Sequence, residues 1–305
     1  MEDWHRPVLL AEVLALLAPR PGGRFVDATV GTGGHARALL EASGPDGWLL
    51  GIDRDPEALV LAAERLRPFA GRYELRRGNY ADVMEALEFS QWDAVLLDLG
   101  VSSLQLNRPE RGFSFQADGP LDMRMDPNQR LTAADLVNTA GEEDLVRWFR
   151  DYGQEPRARS IARAVVRARP LASTWQLAHL VCRVYGRTGG RRHPATRVFQ
   201  ALRIVVNDEL GALERGLHAA WRLLRPGGRL AVITFHSLEA RLVKDFGRDR
   251  VRSYECPGGV DVPELRRPRS TEGRWVTSKA IRPSATELRN NPRSRSAQLR
   301  VLEKL

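Results

Sequence analysis

Near the start of the chain, Asp27-Ala28-Thr29-Val30-Gly31-Thr32-Gly33-Gly34-His35 combines three glycines with a carboxylate and an imidazole. Such glycines let the backbone turn sharply and come close to a ligand, and a helix opening at the turn offers unpaired N–H groups to it. A second carboxylate, Asp53, follows 20 residues after Gly33. That is where an α/β nucleotide site places an acid to accept both ribose hydroxyls. A third, Asp98, closes the apolar run Trp92-Asp93-Ala94-Val95-Leu96-Leu97-Asp98.

Two ligand classes share this pattern. Gly31-x-Gly33-x-x-Ala36 satisfies the dinucleotide fingerprint, so a nicotinamide-linked oxidoreductase is one reading. S-adenosylmethionine is the other, and three features favour it. Asp27 stands just before the loop, where a carboxylate acts on a methionine amino group but is electrostatically awkward beside a pyrophosphate. Arg225-Pro226-Gly227-Gly228 precedes an apolar run as the helix-to-strand turn typical of methyltransferases. Asp98-Leu99-Gly100 lies at the carboxyl edge of its strand, where the reacting centre of an open α/β sheet sits.

The elements that must position these residues alternate. Strand signals cover 24–28, 47–53, 72–76 and 92–98, and helix signals 33–42 and 56–67, the latter opened by Asp55-Pro56. Units this short imply parallel strands joined by right-handed crossovers. The alternation then stops. Residues 107–130 read as a long loop, and 131–184 carry only helical signals, at 134–137, 142–152 and 160–169. A Gly/Arg/Pro stretch at 186–194 closes that region, one long amphipathic helix is predicted over 195–224, and a strand returns at 228–235. The expected fold is α/β: a doubly wound, Rossmann-like sheet from residues 1–106 and 195–305, interrupted by an inserted loop and helical domain at 107–194.

The chain has 305 residues and 34.2 kDa, 43% of them apolar, which suits a core and excludes wholesale disorder. Cys182 and Cys256 cannot build a disulfide framework. His179 precedes Cys182 by three residues, but two ligands fall short of the four a structural zinc needs, so no metal is expected. The first residues lack the basic start and apolar run of a signal peptide, and no apolar run reaches the ~18 residues of a membrane span, so a cytoplasmic location is expected. Of the 47 basic residues 44 are arginine, and between Arg248 and Arg300 thirteen basic residues face six acidic ones, a net of +7 in a chain of +9. Charge concentrated in this way favours a polyanionic partner.

Taken together, these blocks resemble the bacterial 16S ribosomal RNA (cytosine-N4)-methyltransferases of the RsmH/MraW family. The likeness rests on His5-Arg6-Pro7-Val8-Leu9, the loop at 27–35, Gly51-Ile52-Asp53-Arg54-Asp55 and Gly78-Asn79-Tyr80. It continues through residues 96–106, 111–115, 120–126, 192–210, 234–244 and 289–300, so it spans nearly the whole chain. One departure is Ala240, where the family usually has an acid after His-Ser-Leu-Glu. The resemblance implies a class I methyltransferase fold whose helical insertion at 107–194 recognises substrate, S-adenosylmethionine as methyl donor and, as target, the exocyclic amine of a cytidine in the decoding centre of 16S rRNA, naked or in the small ribosomal subunit. It also implies that Gly33, Gly34 and His35 line the cofactor, that Asp53 takes the ribose, that Tyr80 packs by the adenine, and that Asp98 and Gln105 complete the set.

Cytosine N4 is a weak nucleophile because its lone pair is delocalised, so the enzyme must align it with the methyl group and accept hydrogen bonds from the amine. The usual amino-methyltransferase run is Asp/Asn-Pro-Pro-aromatic; Asp98-Leu99-Gly100-Val101 lacks the prolines and the ring. Asp98 faces either the cofactor's amino group or the substrate amine, and the sequence leaves both open. His236, with Ser237, is a second catalytic candidate or else a helix cap. Arg191, Arg192 and Arg197, with Arg293 and Arg295, are the candidate RNA contacts, and Phe113, Phe115 and Met123 are a candidate apolar face for a base or else ordinary packing. The competing class is an RNA-binding assembly factor without turnover. The residues do not set an oligomeric state.

Overall fold

The computed structural model describes residues 7–88, 91–186, 193–256 and 261–305. Its strands are β1 (Arg24–Asp27), β2 (Trp48–Asp53), β3 (Tyr73–Arg77), β4 (Trp92–Asp98), β5 (Leu224–Thr234), β6 (Tyr254–Glu255), β7 (Arg267–Pro268), β8 (Gly273–Trp275) and β9 (Gln298–Lys304). Its α-helices are α1 (Leu10–Leu17), α2 (Gly34–Ala42), α3 (Pro56–Leu66), α4 (Tyr80–Glu85), α5 (Ser103–Asn107), α6 (Ala133–Thr139), α7 (Glu142–Asp151), α8 (Ala158–Ala168), α9 (Thr174–Tyr185), α10 (Ala195–Asn207), α11 (Glu209–Leu223), α12 (Ser237–Val251) and α13 (Ala285–Asn290).

The chain divides into two compact units, residues 1–100 with 212–305 and residues 101–211. The first holds a seven-stranded sheet in the order β3-β2-β1-β4-β5-β9-β8. β3, β2, β1, β4 and β5 pair in parallel, whereas β9 runs antiparallel to both β5 and β8. This is the class I methyltransferase, Rossmann-like topology. Period-two alternation supplies both faces: Phe25, Leu49, Leu96 and Ile233 bury against α1–α3, while Val26, Leu50, Val95 and Val232 bury against α4, α11 and α12. Near-continuous apolar strands such as β4 are the consequence of cover on both sides.

The second unit is helical. Leu145, Phe149, Ile161, Val165, Leu177 and Val181 form its centre. The stretch 108–131 lacks α-helix or strand but is no surface loop, because Phe113 and Met123 are buried in that same centre. Of the two readings, ordinary packing therefore holds for these two, not a face for a base; Phe115, partly buried, stacks on His193 at 4.5 Å and meets Phe199 edge-on at 4.9 Å.

Two expectations change. The helix predicted over 195–224 is broken: α10 ends at Asn207, and Asp208 adopts φ +48°. Asn207 is turned inward, where its Oδ1 accepts the Met125 amide and its Nδ2 donates to the Met123 carbonyl, both at 2.8 Å. Gripping that segment competes with continuing the helix, and Asp tolerates the left-handed conformation better than most residues. The boundaries also move, from 106/107 and 194/195 to 100/101 and 211/212. α10 belongs to the helical unit because Ala195, Val198, Phe199 and Leu202 bury in its core. The Pro226-Gly227-Gly228 turn is absorbed into β5 as an irregularity, where the register with β4 shifts between Trp92 and Ala94. Among the described residues no helix is long and apolar enough to cross a membrane.

Candidate active site

The carboxyl ends of β1, β2 and β4 converge in the sheet unit, and the glycine loop after β1 ties them together. The Ala28 amide bonds the Leu96 carbonyl of β4, and the Val30 amide bonds the Ile52 carbonyl of β2, each at 2.9 Å. Gly33, with φ +80°, is the residue before α2, a conformation that strains any L side chain. At Gly34 a Cβ would come within 2.4 Å of Pro7 Cγ, so the glycine is needed for the amino-terminal segment to lie against the loop.

Three carboxylates border this loop. Asp53 accepts the Gly31 amide on Oδ2 and the Asp55 amide on Oδ1, both at 2.9 Å, leaving each oxygen a second lone pair. Asp27 accepts the Thr29 amide at 3.3 Å on Oδ1, while its Oδ2 is buried with no hydrogen-bond partner among the described residues. Asp98 is held through its own amide, which donates to Thr29 Oγ1 at 2.7 Å, and its Oδ1 is likewise buried and unpartnered. Burial, reinforced by Asp53, pushes the Asp27 carboxyl up to about 7. Burial, with the charges of Asp27 and Glu239, holds the Asp98 carboxyl well above the ordinary range. Asp53 is raised too, chiefly by burial and against the pull of its two amide bonds.

His35 is buried behind Asp98. Its Nε2 lies 3.0 Å from the Val8 carbonyl oxygen, which can only accept, so Nε2 carries a proton and Nδ1 faces Asp98 Oδ2 at 3.7 Å. Tyr80 opens α4 with its ring against Gly216 of α11, where a Cβ would come within 2.4 Å. Gln105 lies in the helical unit, buried, as the third residue of α5 in a reciprocal cap with Ser102.

His236 lies two residues beyond β5 and caps α12: its Nδ1 accepts the Glu239 amide at 3.4 Å, while Glu239 Oε2 accepts the amides of Phe235 at 2.7 Å and His236 at 3.2 Å. Its Nε2 is 3.0 Å from Glu239 Oε1. The cap reading therefore describes His236 as it stands. Glu239, 2% exposed, is the buried acid that sequence reasoning passed over. Its signal was the spacing His-x-x-Glu, a capping box with histidine in the place of serine. Arg293 and Arg295 are exposed on the sheet unit and Arg197 on the helical unit. Arg191 and Arg192 fall outside the described residues.

Residues 2–305 match the MraW methylase family. The chain belongs to that family. Its members are methyl-transferring enzymes, and a class I sheet with a glycine loop and an acidic edge is the architecture found here. The chain is 53% identical over 308 residues to a ribosomal RNA small subunit methyltransferase H of Thermomicrobium roseum, covering 99% of this chain and 94% of that one. The proteins of the same name from Syntrophotalea carbinolica and Symbiobacterium thermophilum are each 50% identical over 309 residues, covering 99% of this chain and 98% and 96% of theirs. An rRNA methylase structure from Streptococcus thermophilus aligns with 99% of this chain and 98% of its own at a TM-score of 0.45 and 12% identity, too distant to bear on chemistry.

Proposed function

We propose that this chain transfers a methyl group from S-adenosylmethionine to the exocyclic N4 amine of a cytidine in the decoding centre of 16S rRNA. The observation that carries the reading is the pair of buried, unpartnered oxygens Asp27 Oδ2 and Asp98 Oδ1 at the edge of the glycine loop. A cationic donor satisfies them, whereas a pyrophosphate would meet two further carboxylate charges. The names of the relatives support a ribosomal RNA substrate, as does the basic segment 248–300 with exposed Arg293 and Arg295. The N4 position comes from the family resemblance.

Bound S-adenosylmethionine supplies an electrophilic methyl group on sulfur. Asp53 presents its remaining lone pairs to the ribose hydroxyls, while α2 turns its amide-bearing terminus toward the ligand. Asp27 and Asp98 neutralise the amino-acid end, and His35 braces Asp98 from behind. An edge carboxylate, or solvent, would accept the proton that the amine must release on methylation. Tyr80 supports the adenine side from its seat against α11. Residues 101–211 act as the substrate-recognition part.

Mass mapping of small-subunit RNA methylation, with and without this protein, tests the reading. Loss of one N4-methylcytidine is expected in its absence; an unchanged map rejects it. For the cofactor, Asp53→Ala should weaken S-adenosylmethionine binding at least about tenfold, from lost charge-assisted hydrogen bonds. Calorimetry showing wild-type affinity would remove Asp53 from the ribose. For the RNA, Arg293→Ala with Arg295→Ala should raise the Michaelis constant for RNA and flatten its salt dependence while leaving cofactor affinity intact. A salt slope equal to that of the wild type would take both off the binding surface.

A further inference from the structure

Trp175 stands out on the helical unit: of the large apolar side chains exposed among the described residues, it is the one aromatic, at 46% exposure. α9 turns Leu177 and Val181 inward, and its outer face carries Trp175, His179 and Arg183 at successive turns. The Trp175 and His179 rings meet edge-on at 6.2 Å, and His179 Nδ1 lies 2.7 Å from the Trp175 carbonyl oxygen, so the pair is braced in place. With Ala168 at the end of α8 and Pro170 and Leu171 from the turn that follows, this row lines a groove open to solvent.

The charge around the groove is one-sided. The side chain of Arg183, which lines the groove, and that of Arg167, next in sequence to the lining residue Ala168, are exposed and have no ion-pair or hydrogen-bond partner among the described residues. Elsewhere the exposed arginines are commonly paired, as Arg147 is with Asp144 and Arg150 with Asp151. The acid in the groove is Asp118, whose Oδ1 accepts the Trp175 amide at 3.1 Å and the Gly119 amide at 3.0 Å. Its charge is thereby committed to the start of α9. A flat aromatic surface flanked by uncommitted guanidinium groups fits a nucleobase with a phosphate on either side.

We propose that this groove is a second RNA-contact site, in which a base of single-stranded RNA stacks on Trp175 while Arg183 and Arg167 take the flanking phosphates. The site rests on the RNA-substrate reading above and adds a docking point on the helical unit.

The test uses the full chain and a fluorescent single-stranded oligoribonucleotide of small-subunit sequence. Trp175→Ala should weaken binding about tenfold and Trp175→Phe far less, since a smaller ring still stacks. Replacing Arg167 and Arg183 together by Ala should lower the salt slope by roughly one to two. In all three variants S-adenosylmethionine affinity and the thermal midpoint should equal the wild type, which separates lost stacking from a damaged fold. Wild-type RNA affinity in Trp175→Ala overturns the site and leaves the RNA reading standing. A wild-type chain that binds no RNA overturns both. If Trp175→Ala weakens binding to assembled small subunits but not to naked RNA, the groove receives a ribosomal protein and the proposal fails.

Discussion

Replacing Asp98 by Asn is expected to lower S-adenosylmethionine affinity roughly ten- to a hundredfold, with single-turnover methyl transfer at subsaturating cofactor falling in step. The substitution keeps the shape and one acceptor oxygen and removes only the charge. Burial beside Asp27 and Glu239 raises the Asp98 carboxyl well above its ordinary range, and a bound cation favours its charged form. Loss of that charge is felt when the cofactor binds. Were the carboxylate acting mainly on the substrate amine, transfer at saturating cofactor would collapse while affinity changed little. The cofactor role is the stronger reading because Oδ1 is aimed into the carboxylate cluster without a partner and Oδ2 is backed by His35. A second consequence follows from the same electrostatics. The Asn variant should be the more heat-stable protein without ligand, because folding the wild type at neutral pH must either protonate Asp98 or bury its charge beside Asp27 and Glu239. Calorimetry and thermal unfolding decide the matter together: wild-type values in both would remove Asp98 from the site.

The sheet edge was legible in the sequence because its parts are local. Asp27, the glycines and His35 lie in nine consecutive residues, and Asp53 and Asp98 each end an apolar run whose strand character is unmistakable. What was not legible depended on partners distant in the chain. Asn207 looks like any polar residue on an amphipathic helix until Met123 and Met125, more than 80 residues away, supply the backbone groups it grips. The apolar period runs on through Asp208, so periodicity alone reads one helix where there are two. The same gap misplaced the boundary, since a stripe of Val198, Phe199 and Leu202 says that α10 packs without saying against what. His236 was half legible: its place beyond a strand suggested chemistry, whereas the Glu239 spacing that makes it a cap needed histidine to be recognised as a capping residue.

Raising the pH from 5 to 8 should destabilise the ligand-free protein through Asp27 and, by the same proton, tighten cofactor binding. Burial, with Asp53 nearby, lifts this carboxyl from 3.8 to about 7 in the folded chain. Between those values the folded state holds a proton that the unfolded state has released. The group's contribution to stability is therefore complete below about pH 4 and is lost as the pH climbs through about 7, the reverse of a salt-bridged aspartate. The interval corresponds to at most roughly 4 kcal/mol. Asp53 and Asp98, also raised, act in the same direction. A cationic ligand needs the carboxylate charged, so below pH 7 binding must expel the proton, and affinity should drop by up to about tenfold per pH unit. Calorimetry in buffers of different ionisation enthalpy counts that proton directly. At pH 6 the number released on S-adenosylmethionine binding should fall by about one in Asp27→Asn, and the variant's ligand-free stability should change far less between pH 5 and 7. An unchanged proton count, or a wild-type stability that rises with pH over that window, would mean that Asp27 enters the folded state already charged and that the cation it awaits is supplied by the protein itself.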